Sequence, residues 1–259
     1  MIKIVFFDID GTLLPYGHKD LLESTKLALG QLKENGIKIA ISSGRQKNQI
    51  QGGIKNQGFD AYVSINGMLC SVGDQVIYRK PLEEEDKNYI IDLMNKKDIS
   101  AFIVEEEKIY MNYMSEKFKR NMLRYKLPQP DLKDYIDPTR AGDVYQVVVF
   151  AEDENKYEEV AKNSKKIKIV NKMPDGVDMA HAGGGKDKGI KKVLDYYGYE
   201  EDEALVIGDG YNDISMIRAF KNSMAMGNAS EEVKRYASHI GERDVDDGIY
   251  KGLKYFGLI

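Results

Sequence analysis

Short apolar segments alternate with a helical pattern in the first 80 residues of the chain. Residues 2–7 form an apolar run rich in branched and aromatic side chains, which is typical of a strand buried in the centre of a parallel sheet. Residues 20–35 place their leucines at helical spacing, and residues 37–41 and 61–65 are again strand-like. This alternation predicts a parallel sheet with helices on its faces.

The pattern changes near Pro81, where a segment with its own helices and strands begins. An acidic first turn favours the first of these helices. The predicted helices cover residues 82–97, 116–125 and 154–163. The predicted strands cover residues 101–104, 108–113, 144–151 and 167–170. We interpret residues 82–182 as a second, smaller α/β domain.

The first pattern returns near Gly183. A helix is predicted over residues 187–197, and residues 204–207 form another short apolar strand. The chain is therefore expected to form a discontinuous core domain from residues 1–81 and 183–259. The domain of residues 82–182 is inserted between these two parts.

The composition narrows the possible classes of function. The 259 residues carry a formal net charge of -4, whereas nucleic-acid binders usually have a basic excess. No apolar run reaches the roughly 18 residues that a membrane span needs, and no secretory signal is visible. The single cysteine, Cys70, cannot form an intrachain disulfide, which fits a reducing cytoplasm. We expect a cytoplasmic protein without nucleic-acid or membrane partners; its oligomeric state stays open, and a monomer is compatible with the sequence.

Acidic residues follow two of the predicted strands. Asp8 and Asp10 stand where the first strand ends, and Asp209 and Asp213 follow the strand at 204–207. Ligand sites in open parallel sheets lie beyond the carboxyl ends of the strands, so these carboxylates should converge at one edge. Clustered carboxylates repel one another unless a cation compensates, and Mg²⁺ bound together with a substrate phosphate is the simple solution. Mn²⁺ accepts the same oxygen ligands.

Four segments resemble, in order, the motifs of the haloacid dehalogenase (HAD) superfamily of phosphatases. They are Asp8-Ile-Asp10-Gly-Thr-Leu, Ser43-Gly44-Arg45, Lys188-Gly189 and Gly208-Asp209-Gly-Tyr-Asn212-Asp213. The long insert between the second and third motifs is similar to that of the Cof-type group, and its α/β pattern to the sugar phosphate phosphatases. The resemblance implies a Rossmann-like parallel-sheet core domain with an inserted smaller α/β (C2-type) cap domain that closes over the leaving group.

The resemblance also implies a role for each matched residue. Asp8 would be the nucleophile that forms an aspartyl-phosphate. Asp10 would be the general acid for the leaving alcohol and then the general base for water. Ser43 and the Gly44 N–H would bind the transferring phosphoryl group, and Lys188 would place a positive charge against phosphate and Asp8.

Mg²⁺ is the cofactor that the resemblance implies. An Asp8 oxygen, the Asp10 backbone carbonyl and the Asp209 carboxylate would hold the ion. Asn212 is assigned to substrate binding and Asp213 to the metal, although both could ligate the ion or orient its ligands.

Some assignments remain open in the sequence. Only the pairing with Gly189 selects Lys188 over other nearby lysines. These competitors are Lys186, Lys191 and Lys192. Arg45 could contact the substrate or face solvent, and Asn66-Gly67 could be a turn near the site or a plain turn.

Three functions are compatible with the sequence. The first is a Mg²⁺-dependent phosphatase for small phosphorylated metabolites, in particular sugar (hexose) phosphates. The second is a phosphatase for a cofactor phosphate such as flavin mononucleotide or pyridoxal phosphate. The third is a non-catalytic regulatory protein that binds a phosphorylated metabolite, which the intact set of acidic residues disfavours.

Overall fold

A computed structural model describes residues 1–125 and 129–259 and divides them into two compact units. The first unit combines Met1–Arg79 with Gly185–Ile259, and the second is Lys80–Gly184. The strands are β1 (Ile4–Phe7), β2 (Lys38–Ser42), β3 (Ala61–Ser64), β4 (Leu69–Val72), β5 (Gln75–Arg79), β6 (Ser100–Val104), β7 (Ile109–Met111), β8 (Asp131–Leu132), β9 (Gln146–Phe150), β10 (Ile167–Met173), β11 (Gly176–His181), β12 (Ala204–Gly208), β13 (Ser223–Ala225) and β14 (His239–Ile240). The α-helices are α1 (Glu23–Glu34), α2 (Gly52–Lys55), α3 (Glu84–Asn95), α4 (Glu116–Tyr125), α5 (Asn155–Asn163), α6 (Lys186–Tyr197), α7 (Ile214–Ala219), α8 (Glu231–Lys234) and α9 (Gly248–Tyr255).

The first unit is built on a sheet with the strand order β14-β13-β12-β1-β2-β3-β4-β5. The strands from β14 to β3 run parallel, and the β4–β5 hairpin extends the sheet in antiparallel fashion. Phe7 at the end of β1 lies in register with Ile41 of β2 and Ile207 of β12. The chain segments that follow these three strands therefore leave the sheet at the same edge.

Both faces of this sheet are covered by helices, which explains the continuous apolar runs of its strands. Val5 and Phe7 pack into a cluster that includes Leu29 of α1 and Leu253 of α9. The alternate residues of β1 pack on the other face, with helix α6 residues such as Ile190. The period of two in a strand thus fills two hydrophobic layers from one run of four residues.

The second unit has a separate sheet with the order β10-β11-β9-β6-β7-β8. Its neighbouring strands are antiparallel except for the pair β7–β8. Residues of α3 and α5, among them Ile90 and Val160, share its main hydrophobic cluster. Phe118 of α4 makes edge-to-face contacts with Phe102 and Phe150, with ring centroids 5.0 and 5.1 Å apart.

The predicted fold class, a parallel α/β core with an inserted smaller α/β domain, is confirmed. The β4–β5 hairpin and strand β11 were not predicted. Strand β10 (Ile167–Met173) is longer than the predicted residues 167–170. Its additional residues include the polar Asn171 and Lys172, which interrupt the apolar pattern on which the prediction rested. In the described ranges, no helix has the length and apolar character needed to cross a bilayer.

Candidate active site

Three buried carboxylates meet where the central strands end. Asp8 follows β1, and its backbone N–H donates a 2.9 Å hydrogen bond to the Ile207 carbonyl of β12. Asp209 follows β12, and Asp213 stands four residues further on. Carboxylate oxygens of Asp8, Asp209 and Asp213 lie within 4.8 Å of one another. The parallel register of β1 and β12 therefore brings together residues that are about 200 positions apart in the sequence.

Lys186 supplies the positive charge at this cluster. Its side chain is fully buried at the start of α6, and its Nζ donates hydrogen bonds to Asp8 Oδ1 at 2.7 Å and Asp213 Oδ1 at 2.5 Å. Burial alone would lower the pKa of Lys186, but the two carboxylates outweigh it and raise the pKa above its ordinary value. The ammonium group therefore stays charged beside Asp8.

The prediction that Lys188 holds this position is wrong. The Lys188 side chain is 55% exposed, and its ammonium lies 3.7 Å from the carboxylate of Asp187. Two residues along an α-helix are rotated by about 200°, so Lys186 and Lys188 project on nearly opposite sides of α6. The other competing lysines pair with carboxylates away from the cluster, Lys191 with Glu201 and Lys192 with Asp195.

Hydrogen bonds fix the two carboxylates that follow β12. Asp213 Oδ2 accepts the backbone N–H groups of Asp209 and Gly210 at 3.0 and 2.8 Å. Thr12 Oγ1 donates to Asp209 Oδ1 at 2.7 Å. Gly11 has φ +82°, and a Cβ there would lie 2.2 Å from Asp209 Oδ2, so only glycine permits this close approach.

Asn228 joins the loop after β1 to the loop after β12. Its Nδ2 donates to the Gly11 carbonyl at 2.8 Å and to Asp209 Oδ2 at 3.4 Å, and its Oδ1 accepts the Asp244 N–H at 3.0 Å. Thr12 and Asn228 were not among the predicted site residues. Asn228 comes three residues after β13, so the rule that sites gather at the ends of parallel strands could have identified it.

The three carboxylates of the cluster are only partly compensated by the one ammonium group of Lys186. Burial, together with repulsion from Asp213, raises the pKa of Asp8 to about 7. Burial, together with repulsion from Asp8 and Asp213, raises the pKa of Asp209 to about 8. When ionised, three carboxylates against one ammonium leave two negative charges in a buried site. Hard oxygen donors with that residual charge fit a divalent cation such as Mg²⁺.

A second loop stands beside the cluster, after β2. Ser43 is buried, and its Oγ accepts the Arg45 N–H at 3.2 Å, which leaves the hydroxyl proton to be donated. Gly44 lies against Asn66, where a Cβ would be 3.3 Å from Asn66 Oδ1. The same Asn66 oxygen accepts a 2.9 Å hydrogen bond from Asn212 Nδ2. The turn at Asn66 is therefore part of the site region. The sequence had left open whether this turn lies near the site.

The Asp10 carboxylate lies outside the buried cluster. Its two oxygens accept hydrogen bonds from Arg45, Oδ2 from Nε at 2.9 Å and Oδ1 from a terminal guanidinium nitrogen at 2.5 Å. The Asp10 side chain is 43% exposed and that of Arg45 33% exposed. Arg45 thus binds the second of the two acidic residues of the first motif, Asp10.

Comparisons with known proteins identify the family of this chain. A family model described as haloacid dehalogenase-like hydrolase matches residues 5–253. YkrA of Bacillus subtilis (strain 168), named as a candidate phosphatase, is 29% identical over 99% of this chain and 98% of its own. YcsE of the same strain, named as a 5-amino-6-(5-phospho-D-ribitylamino)uracil phosphatase, is 25% identical over 99% of this chain and 96% of its own.

Solved structures show the same fold. The HAD subclass IIB sugar phosphatase BT4131 is 31% identical, and the match covers 99% of this chain and 100% of that one with a TM-score of 0.87. These findings confirm the prediction of a phosphatase of the Cof-type group and count against the non-catalytic alternative. The chain belongs to the family of haloacid dehalogenase-like hydrolases.

Proposed function

We propose that this phosphatase hydrolyses small phosphorylated metabolites, with sugar phosphates as its main substrate class, through a covalent intermediate on Asp8 and with Mg²⁺. The observation that carries the proposal is the buried Asp8 carboxylate, held 2.7 Å from the Lys186 ammonium beside two further carboxylates. Such a set of acidic oxygens around one nucleophile suits phosphoryl transfer, in which the protein mainly positions groups and stabilises charge.

In the first step, the Asp8 carboxylate attacks phosphorus. A bond forms between an Asp8 oxygen and phosphorus, and the bond from phosphorus to the alcohol oxygen of the substrate breaks. Lys186 orients Asp8 through Oδ1 and keeps positive charge at the nucleophile. The Ser43 hydroxyl and the Gly44 N–H donate to oxygens of the transferring group.

Asp10 moves the protons in both steps. It gives a proton to the departing alcohol oxygen, so that a neutral alcohol leaves. In the second step it takes a proton from water, which attacks phosphorus, releases phosphate and restores Asp8. The proton that Asp10 takes from water replaces the one that it gave to the alcohol, so each turnover restores the starting state of Asp10.

The carboxylate cluster fits a bound Mg²⁺. Oxygens of Asp8 and Asp209 and the Asp10 carbonyl would hold the ion, which would neutralise charge between the phosphate and its nucleophile. Both Asp213 oxygens already accept hydrogen bonds from Lys186, Asp209 and Gly210. We therefore assign Asp213 to orienting Lys186 and Asp209, and Asn212 to supporting the turn at Asn66 beside the phosphoryl group.

The substrate class rests on similarity to a sugar phosphatase that covers almost the whole chain. The second candidate class is a cofactor phosphate such as flavin mononucleotide or pyridoxal phosphate. YcsE, named for a phosphoribitylamino-uracil substrate, is a relative whose named substrate is not a hexose phosphate. A cytoplasmic location agrees with both candidates and stays a prediction.

Phosphate release by the purified full chain tests the proposal. We expect p-nitrophenyl phosphate to be hydrolysed with Mg²⁺, and the rate to be lost with EDTA or in Asp8→Asn. The control Asp74→Asn removes an exposed carboxylate and should keep the wild-type rate. A panel of hexose phosphates, flavin mononucleotide and pyridoxal phosphate then separates the two substrate classes. Full activity of Asp8→Asn would overturn the mechanism, and a clear preference for a cofactor phosphate would overturn the substrate class.

A further inference from the structure

The ion pair between Arg45 and Asp10 has the two-point geometry that fixes a carboxylate in space. Nε and a terminal nitrogen of Arg45 each donate to a different oxygen of Asp10, at 2.9 and 2.5 Å. Two parallel hydrogen bonds from a planar guanidinium set the orientation of the carboxylate plane, which a single contact from lysine would not do. Within the described ranges, Arg45 is the only side chain hydrogen-bonded to the Asp10 carboxylate.

The backbone of Arg45 is itself held by a strained turn. The Arg45 carbonyl accepts the Ile65 N–H at 3.1 Å, and the Ser43 carbonyl accepts the Asn66 N–H at 3.0 Å. Ile65 has φ +50° and Asn66 φ +52°. Positive φ is costly for a β-branched residue such as Ile65, and strain of this kind persists where the surrounding structure enforces it. The turn therefore fixes the loop from which Arg45 reaches Asp10.

Stability is a weak explanation for this arrangement. Both side chains are about one third or more exposed, and ion pairs in such surroundings contribute little to stability. Among the residues that the structure describes, no buried lysine donates a hydrogen bond to Asp10, whereas Asp8 has Lys186. A general acid must lie within hydrogen-bond reach of the departing oxygen, and loss of that alignment slows the reaction strongly.

We propose that Arg45 is a positioning residue that holds the Asp10 carboxyl group in the orientation for proton transfer at the leaving-group oxygen. The assignment rests on the proposed role of Asp10. During transfer, Asp10 carries its proton on one carboxyl oxygen while Arg45 still donates a hydrogen bond to the other oxygen. The electrons of the bond between phosphorus and the alcohol oxygen go to that alcohol oxygen, which takes the Asp10 proton. Arg45 itself neither gains nor loses a proton.

Two substrates with different leaving groups separate this role from direct substrate binding. p-Nitrophenolate is a stable anion and leaves without a proton, whereas the alcohol of a hexose phosphate needs one. A residue that acts through the general acid should matter for the second substrate and little for the first. A residue that binds the phosphoryl group should matter for both.

The experiment measures the rate of phosphoryl transfer to the enzyme by rapid quench, before the shared hydrolysis step. In Arg45→Gln we expect transfer from the hexose phosphate to fall by about 10²-fold, with transfer from p-nitrophenyl phosphate within about threefold of wild type. Asp10→Asn should show the same selective loss. Adding Arg45→Gln to Asp10→Asn should cause no further loss, because the two residues act as one unit.

Controls separate the possible failures. Lys192→Gln removes an exposed ion pair with Asp195 on α6 and should change neither rate. Equal losses for both substrates in Arg45→Gln, or a full additional loss in the double variant, would overturn the positioning role. A slow Asp10→Asn with a normal Arg45→Gln would overturn only the Arg45 assignment. A normal Asp10→Asn would overturn the acid role of Asp10 and the Arg45 assignment with it.

Discussion

Replacing Lys186 by methionine tests the position of the buried positive charge. Methionine has a similar length and apolar stem, so it fills the same buried space and removes only the ammonium group. The matched variant is Lys188→Met, two residues further along the same helix, where the side chain is 55% exposed. The sequence alone had favoured Lys188, so the pair of variants decides between the two lysines.

The size of the effect follows from the contacts. Lys186 is fully buried and donates to Asp8 and Asp213 at 2.7 and 2.5 Å. Removing one partner of a buried ion pair costs about 3–5 kcal/mol of unfolding free energy, because the remaining charge is left without compensation. Loss of an electrostatic contact at the nucleophile should also lower kcat by about 10²–10³-fold. Lys188→Met should leave the unfolding midpoint and kcat unchanged within error.

Urea unfolding followed by circular dichroism gives the stability, and turnover of p-nitrophenyl phosphate gives kcat. Activity is measured in the absence of urea and normalised to the folded fraction, so that a loss of stability in Lys186→Met is not mistaken for a loss of kcat. The reasoning would be refuted if Lys188→Met lost activity while Lys186→Met kept it. It would also be refuted if both variants unfolded at the wild-type midpoint.

Three further predictions follow from the structure. Mg²⁺ at 100 times its Kd should raise the unfolding free energy by about 2.7 kcal/mol. Thermal unfolding with Mg²⁺ and with EDTA measures this change, and an equal stabilisation of Asp209→Asn by Mg²⁺ would contradict the proposed site. Gly189→Ala should lower the unfolding free energy of the protein by about 1–3 kcal/mol, because its Cβ would lie 2.6 Å from Val63 Cγ1. Gly30→Ala, in the middle of α1 with no atom near the new Cβ, should raise the unfolding free energy by about 0.5–1 kcal/mol. Urea titrations that reversed this order would refute the packing argument. Burial raises the pKa of Cys70 to about 12, so iodoacetamide at pH 8 should label this thiol only after the protein is unfolded. Mass spectrometry measures the labelling, and rapid labelling of the native protein would be inconsistent with the structure.

The central sheet could be predicted because its strands are buried on both faces. Runs such as residues 2–7 and 204–207 are apolar without interruption, and the acidic residues mark where they end. The second unit was harder, since its sheet is antiparallel and β10 carries polar residues such as Lys168. Pro174 and Asp175 connect β10 to β11, and the pair Asp175-Gly176 is a turn signal that was not used to predict this hairpin.

The sequence predicted the site residues whose positions follow from the backbone, but not those whose positions depend on side-chain orientation. Strand ends identify Asp8, Asp209 and the loop at Ser43, because parallel register alone brings these positions together. Which lysine enters the cluster depends on the residue at which α6 begins, and a shift of two residues turns the side chain to the opposite side of the helix. The pairing of Arg45 with Asp10 depends on side-chain orientation across two loops, which no periodicity encodes.

Covalent phosphorylation of Asp8 is the most direct test of the central claim. Wild-type protein is mixed with labelled substrate and Mg²⁺, quenched in acid within milliseconds, and digested for mass spectrometry. We predict one phosphorylated peptide, modified at Asp8, which is absent from Asp8→Asn. Rapid turnover without any phosphate on the protein, or with phosphate on another residue, would contradict it.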